Sequence, residues 1–433
     1  MKNINTTLLP ALISIAFSGS AGAAGFQLLE QNASGLGNAY AGSAAVAENA
    51  STIFYNPAGM TQLKAREYSV GMNLIQPSFK FSDSASSSTT FAGDGGDGGQ
   101  PGVLPNGYLS WAYDKNLYLG VGFGAPFGLM TKYDNPWIGA AQSVSFDVKT
   151  YNINPSIAYR INETVSIGAG ASWQRLEAEY KRQAGAGVIP LFGAGTAALA
   201  AATPIQLNLK DDAWGWNVGV LFNLSPVSKL GISYRSKIKY DATGKIEASG
   251  PSPAANGLVS VDAKASIKLP DTFIASYTHQ CTDQWEALAD LSWTGWGSIP
   301  KIDIVRTSGA GAGTVAQTLN TDFRNAWRLA FGGNYKMRDD FKLKFGIAYD
   351  QTPVKGAATR LVSLPDNNRT WLSFGTQWKT SRDSSLDLGM AYLLMKDASI
   401  DNDQSAPTQG RGRVTGTYKD SSWILGAQYS ASF

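Results

Sequence analysis

The sequence predicts an all-β membrane protein: a 14-stranded antiparallel outer-membrane β-barrel with a small, partly helical N-terminal hatch plugging its lumen. Three observations predict it. Apolar residues alternate with small or polar ones, with a period of two, in segment after segment. The connections between those segments are short and long by turns, as an up-and-down membrane barrel requires. No later segment approaches the roughly 20 consecutive apolar residues of a membrane helix.

The chain opens on an export signal, read as residues 1–23. Lys2 supplies a positive charge, Leu8 to Phe17 a short apolar stretch, and Ala21-Gly22-Ala23 a small-x-small cleavage site. Ten apolar residues are too few to cross a bilayer as a helix. Residues 24–64 do not alternate and are read as the hatch. They are rich in small residues, Ala44 to Ala50 has helical composition, and Pro57 ends any helix and leaves Asn56 extended or in a turn. Small residues suit a plug because they pack closely inside a narrow pore.

Residues 65–433 are read as the barrel. Its segments begin near 66, 105, 116, 146, 164, 206, 227, 258, 285, 322, 341, 369, 384 and 414. Examples are Leu117, Leu119, Val121 and Phe123, or Trp327, Leu329, Phe331 and Tyr335, each alternating with small or polar residues. Tight polar turns fall around 114–116, 162–163, 225–226, 281–283, 338–340 and 381–383. The longer connections are 82–104, 125–145, 183–205, 243–257, 306–321, 353–368 and 397–413. The first of these, with its Ser run and Asp-Gly repeat, reads as low-complexity and mobile. Asp94 and Asp97 are too few carboxylates for a calcium site, so no metal or other cofactor is expected. The last strand alternates Trp423, Leu425, Ala427, Tyr429, Ala431 and Phe433 with Ile424, Gly426, Gln428, Ser430 and Ser432. A terminal strand with Tyr429 and Phe433 in these places is similar to the signal read by the barrel assembly machinery.

Composition agrees with a barrel. Of 433 residues, 47 are Gly and 48 aromatic (18 Tyr, 18 Phe, 12 Trp), and only 16% are charged, which suits a wall with small residues, interfacial aromatics and few charges on its lipid face. A formal net charge of +3 gives no reason to expect nucleic acid. The single cysteine, Cys281, forms no intramolecular disulfide. One His, His279, beside the turn at Cys281, does not place a catalytic base at either rim, and there is no Gly-x-Ser-x-Gly elbow. An outer-membrane lipid hydrolase is therefore disfavoured, and an open porin or adhesin has no use for a plug.

The order and spacing of several motifs resemble one family over essentially the whole mature chain. They are Gly25-Phe26-Gln27, Ser34 to Tyr40, Asn56-Pro57-Ala58, Phe127-Gly128-Leu129, Asn152 to Arg160, Leu291 to Trp296, Trp327 to Ala330, Gly346 to Asp350 and Leu364-Pro365-Asp366. Together they resemble the FadL family of outer-membrane long-chain fatty-acid transporters. The resemblance implies a hatch-closed 14-stranded barrel that takes hydrophobic compounds from outside and releases them sideways into the membrane without ATP. Most members carry long-chain fatty acids, and one branch serves monoaromatic hydrocarbons such as toluene. The expected partners are such a ligand, outer-membrane lipid with lipopolysaccharide, and the assembly machinery, and the chain is expected to act as a monomer.

Candidate ligand-handling residues follow. Val188, Ile189, Leu191 and Phe192 in one long loop, and Trp137 and Ile138 in another, are apolar loop residues suited to catching a greasy solute; they can also pack on one another as a loop core, and both readings can hold at once. Arg182 shares parity with the luminal residues of the fifth strand, and Arg324 with luminal Arg328 on the tenth. By the resemblance, these two hold the ligand carboxylate, with Phe26 also at the ligand; luminal salt bridges with Asp290, Asp350 or Glu286 are the competing reading. Gly120, Gly122 and Gly124, followed by Pro126, permit broken pairing in the third strand. In the family an inward kink there lies opposite Asn56-Pro57-Ala58 and forms the exit. Alternatively, the glycines only make room for the plug.

Overall fold

A computed structural model describes residues 25–87, 91–185, 203–250, 257–309, 311–406 and 409–433; the export signal read at 1–23 lies outside them. Fourteen antiparallel strands form the wall. They are β1 (Arg66–Asp83), β2 (Gly102–Ala112), β3 (Leu117–Gly124 and Gly128–Lys132), β4 (Ser145–Arg160), β5 (Val165–Gln183), β6 (Pro204–Ser225) and β7 (Ser228–Arg235 and Ile238–Gly250). The second half comprises β8 (Gly257–Leu269 and Thr272–Gln280), β9 (Trp285–Thr294 and Lys301–Arg306), β10 (Val315–Asn320 and Ala326–Arg338), β11 (Phe341–Asp350), β12 (Arg369–Lys379), β13 (Ser384–Met395 and Ala398–Gln404) and β14 (Gly412–Ser432). Each pairs with its sequence neighbours, and β14 closes on β1 from Glu67 opposite Ser432 to Asp83 opposite Gly416. Closure removes every free edge.

Alternation does what the sequence reading expects. Val70, Met72, Leu74, Trp327, Leu329, Phe331, Trp423 and Leu425 are exposed on the outer wall, while Ser69, Asn73, Asn334, Lys344, Asp387 and Gln428 are buried in the lumen. An apolar exterior and a polar interior invert the soluble pattern and suit lipid. The long connections are shorter than expected, because Gly128–Lys132, Ile238–Gly250, Val315–Asn320 and Ala398–Gln404 continue as strand. In Ala398–Gln404 polar residues stand on both faces, with Ser399, Asp401 and Asp403 outward and Asn402 inward, whereas Ile238–Gly250 keeps the alternation with its sense reversed, Ile238, Tyr240 and Ala242 buried and Lys239 and Asp241 exposed, which is not the pattern of a lipid-facing strand.

Residues 93–97 of the loop between β1 and β2 make specific contacts with β1 and with the loop after β3. Asp97 accepts hydrogen bonds from Ser78 Oγ (2.6 Å) and the Phe79 amide (2.7 Å). Gly93 and Gly95 take positive φ where Pro136 and the Trp137 ring press against them; a Cβ on Gly95 would lie 2.8 Å from that ring. Glycine is required by this contact.

Residues 25–63 fill the lumen. They contain short turns of helix at Leu36–Asn38, Thr52–Tyr55 and Pro57–Gln62. The helical composition of 44–50 does not become a helix, because its backbone is engaged elsewhere: the Ala44 amide donates to Ser276 Oγ of the wall (3.0 Å), and the Ala44 carbonyl accepts from Asn56 Nδ2 of the plug itself (2.7 Å). Pro57 starts a new turn, and Asn56 is extended before it, at φ −156° and ψ 102°.

A buried ion cluster ties this plug to the wall. Lys344 on β11 donates to Glu48 of the plug (2.6 Å), Asp387 on β13 (3.0 Å) and the Ser34 carbonyl (2.9 Å). Gln377 on β12 bonds the same Asp387 oxygen at 3.0 Å. Removing one member strands the others, at about 3–5 kcal/mol. Lys344→Met is therefore expected to lower the temperature at which the protein loses its heat-modifiable migration on SDS gels. Lys342→Met, at the half-exposed edge of the cluster, is expected to change it far less; equal behaviour of the two variants refutes the anchoring role.

Candidate functional site

Two connected spaces lie in the outer half of the lumen. The upper one, about 210 Å³, is lined by Tyr180, Arg182, Ile205, Val259, Arg306 and Gln317 among others. Below it, sharing Tyr180, Leu207 and Ile304, is a narrow apolar sleeve of about 60 Å³ bounded by Phe146, Leu176, Ile267, Leu319 and Phe323, with Phe26 of the plug also in its lining. Each is below the roughly 300 Å³ of a ligand-sized pocket, so a long ligand must displace part of the lining.

The upper space is cationic and lacks a counter-charge. Arg182 bonds only neutral groups, Gln317 Oε1 at 3.0 Å and the Gln183 carbonyl at 3.1 Å. Arg306 and Arg411 both act electrostatically against its charge. Arg411, in the loop before β14, is not part of that lining but lies close enough to act on Tyr180 and Arg182; it is buried with Nε and Nη1 unpartnered, and burial pushes its pKa below the usual arginine value. Among the described residues no carboxylate pairs with any of the three. Residues 186–202, which follow Arg182, contain no Asp or Glu. Buried cations left this way favour an incoming anion.

The wall breaks beside the Phe26 end of the sleeve. Pairing of β2 with β3 ends at Gly107 opposite Phe123, and the outer part of β3 pairs with β4. Residues 124–127 would be left without partners on the β2 side, and the start of the plug supplies them. Gln31 Nε2 donates to the Ala125 carbonyl (2.8 Å), and its Oε1 accepts from the Ala125 amide (3.1 Å). The Leu28 amide donates to Pro126 O (2.8 Å), and the Gly128 amide to Phe26 O (2.9 Å). A side-chain amide thus takes the place of a strand partner.

Comparison with known proteins agrees with this architecture. Residues 14–433 match the model of the family described as "Outer membrane protein transport protein (OMPP1/FadL/TodX)". The chain belongs to that family. It is 28% identical to the "Long-chain fatty acid transport protein" of Escherichia coli K12, over 100% of this chain and 99% of that one. It is 30% identical to "Outer membrane protein P1" of Haemophilus influenzae, over 91% and 90%. A solved Pseudomonas aeruginosa FadL homologue superposes with a TM-score of 0.86 at 22% identity, covering 95% of this chain and all of that one. The Pseudomonas putida toluene transporter TodX superposes at 0.70 with 15% identity, over 93% and 98%. These likenesses place the chain in the outer membrane of a Gram-negative bacterium.

Within this FadL-type barrel, the residues expected from sequence divide sharply. Arg182 faces the upper cavity, as its parity predicts. Arg324 does not join it: Thr321 to Asn325 interrupt β10, Asp322 has φ +40°, and the parity shifts so that Phe323 enters the sleeve while Arg324 Nε bonds the Thr352 carbonyl (3.1 Å). Trp137 is buried with Phe81, Tyr133 and Tyr418, and Ile138 packs against them, so these two contribute to a loop core. Val188, Ile189, Leu191 and Phe192 lie outside the described residues. Asn56, Pro57 and Ala58 sit on β5 and β6, against Gly168, Gly219 and Val220, and not opposite the break. Gly120 faces Ile53 and Met60, Gly122 faces Tyr108, and Gly124 faces Gln31. The glycines therefore make room, and Gln31 faces the break. Nothing periodic marks Gln31 or Arg411; the only signal was an arginine pair between glycines, Gly410-Arg411-Gly412-Arg413.

Replacing Gln31 by Ala leaves the Ala125 amide and carbonyl without partners, which costs about 1–3 kcal/mol for a buried group. Hydrogen exchange of peptides covering 120–132 is expected to quicken roughly tenfold, with peptides from β11 and β12 unchanged. Unaltered exchange there would remove Gln31 from the wall.

Proposed function

We propose that the chain takes up long-chain fatty acids passively across the outer membrane. The carboxylate is received by Arg182 and Arg411, with Arg306 beside them, and the acyl tail enters the apolar sleeve above Phe26. The single observation that carries this reading is the arginine group with no acid to neutralise it, directly above an apolar space. It is supported by relatives aligned over the full chain that are named long-chain fatty acid transport proteins. A monoaromatic hydrocarbon would fill the sleeve and leave the arginines unpaired, so the acid is the better fit.

Release follows sideways through the β2–β3 break once residues 26–31 withdraw. Gln31 then serves as the latch, and Gly120, Gly122 and Gly124 give the plug space to slide. In this reading residues 1–23 are the export signal, 24–64 the hatch and 65–433 the barrel. The outward rings of Tyr429 and Phe433, both packed near Tyr68, serve the assembly machinery. The protein works as a monomer, binds a ligand without altering it, and is not an enzyme.

The test is a tryptophan-fluorescence titration of detergent-purified protein with oleate, methyl oleate and toluene. Arg182→Ala with Arg411→Ala is expected to weaken oleate about ten- to a hundredfold, the loss of a charge-assisted contact of about 1.5–3 kcal/mol. Methyl oleate binding should change little, and Arg324→Ala should leave oleate unaffected. Equal losses for acid and ester would refute the carboxylate role, and tight toluene binding without oleate binding would assign the chain to hydrocarbons.

A further inference from the structure

The outer surface of the barrel carries a second interruption, between β8 and β9. These strands pair where Ala263–Ala265 meet Ile304–Arg306, and again where Thr272–Gln280 meet Glu286–Thr294. Between the two ladders β9 is the longer side, because Trp296–Ser298 coils into a 3-10 turn that carries Trp296 into the lumen against Phe26. The separation opens outward as a groove of about 540 Å³.

The groove suits an anion on the outward-facing side of the membrane. It carries Lys264, Lys268 and Lys301 with Asp241 and Asp303. Asp303 is held by Lys301 (2.7 Å) and Asp241 by Lys239 (3.2 Å), which occupies both acids. Lys264 and Lys268 have no ion pair among the described residues. The Ser298 hydroxyl, buried on the groove wall, has no hydrogen-bond partner there either.

Register fixes the height of the groove. Tyr234, Phe273, Trp293 and Trp327 are successive partners across β7, β8, β9 and β10, and Trp327 is half exposed. They form one row of an aromatic girdle, which sits at headgroup level. Toward the periplasm the outer face continues with Ile232, Ala275, Leu291 and Leu329; toward the outside it turns to Lys239, Lys268 and Lys301. Lysines immediately above an aromatic row meet the phosphates of the surrounding lipid.

We propose that this groove binds the phosphorylated headgroup of an outer-leaflet glycolipid, lipopolysaccharide. Lys264 and Lys268 donate to the phosphate, the Ser298 hydroxyl donates to a headgroup oxygen, and the acyl chains descend over Phe273 and Trp293. The bound lipid also covers the unpaired strand edges. This assignment does not depend on which ligand the lumen carries.

Native mass spectrometry of the full chain, titrated with diphosphorylated lipid A, tests it. The Lys264→Glu, Lys268→Glu double variant is expected to bind about tenfold more weakly, and fully dephosphorylated lipid A should bind the wild type as weakly as that. Lys379→Glu, at the opposite end of the wall, is the charge control and should match the wild type. Unchanged heat-modifiable migration and unchanged oleate affinity establish that the double variant is folded. Wild-type retention of lipid A by that variant, or equal binding of phosphorylated and dephosphorylated lipid, overturns the proposal. Complete competition by millimolar inorganic phosphate would assign the groove to free phosphate and overturn the lipid reading as well.

Discussion

The structure depends on one constraint: the plug must touch the wall with its backbone. A lumen lined by ordinary side chains would hold a folded segment away from the strands, leaving voids and unpaired polar groups on both surfaces. Here glycines on successive strands let main chain meet main chain. A Cβ on Gly231 would lie 1.9 Å from the Ala44 carbonyl oxygen, one on Gly346 2.1 Å from the Asn38 carbonyl carbon, and one on Gly168 2.4 Å from the Ala58 nitrogen. Because the approach is so close, wall side chains can satisfy plug backbone directly, as Ser276 does for Ala44 and Gln428 for Ala33. The glycine content that the sequence shows as a compositional bias is, in space, a cradle.

That closeness also explains why the breaks in the wall are tolerated. An interrupted ladder normally exposes amides and carbonyls to lipid at several kcal/mol each. At the β3 break the plug supplies Gln31, Leu28 and Phe26 as partners. At the β9 break Trp296 folds inward and meets Phe26, Phe127 and Phe323 edge-on. Both irregularities therefore converge on Phe26, at the base of the sleeve. A ligand that moved Phe26 would disturb the partners of both.

Sequence reading was sufficient wherever a single physical rule acts along a strand. Alternation placed Trp423, Leu425 and Phe331 outside and Arg182 inside, and short polar turns set the strand count. It failed wherever a strand is interrupted, because parity carries no memory across a bulge. Arg324 and Phe323 exchanged roles at the break in β10, and the outer extensions of β7, β10 and β13, which lack the apolar outer face of a lipid-facing strand, looked like loop. The burial of Trp137 was not legible because its partners, Phe81, Tyr133 and Tyr418, are distant in sequence. Contacts of that kind leave no local trace, and the pairing of Gln31 with Ala125 is another.

The two ends of the plug are held by different kinds of force, and this bears on how passive release is achieved. Residues 33–61 rest in the glycine cradle and are fixed by the Lys344, Glu48 and Asp387 cluster, whose loss strands buried charge. Residues 26–31 are held at the break chiefly by neutral hydrogen bonds and aromatic edges, interactions of about 1 kcal/mol apiece. Local opening takes place where such terms are fewest. Under the proposed sideways release, the starting segment would leave β3 while the body of the plug stays seated, and the gap in the wall would open without an aqueous pore through the barrel. An unanchored plug would have to choose between sealing the lumen and admitting the ligand; separating anchor from latch along one chain removes that conflict.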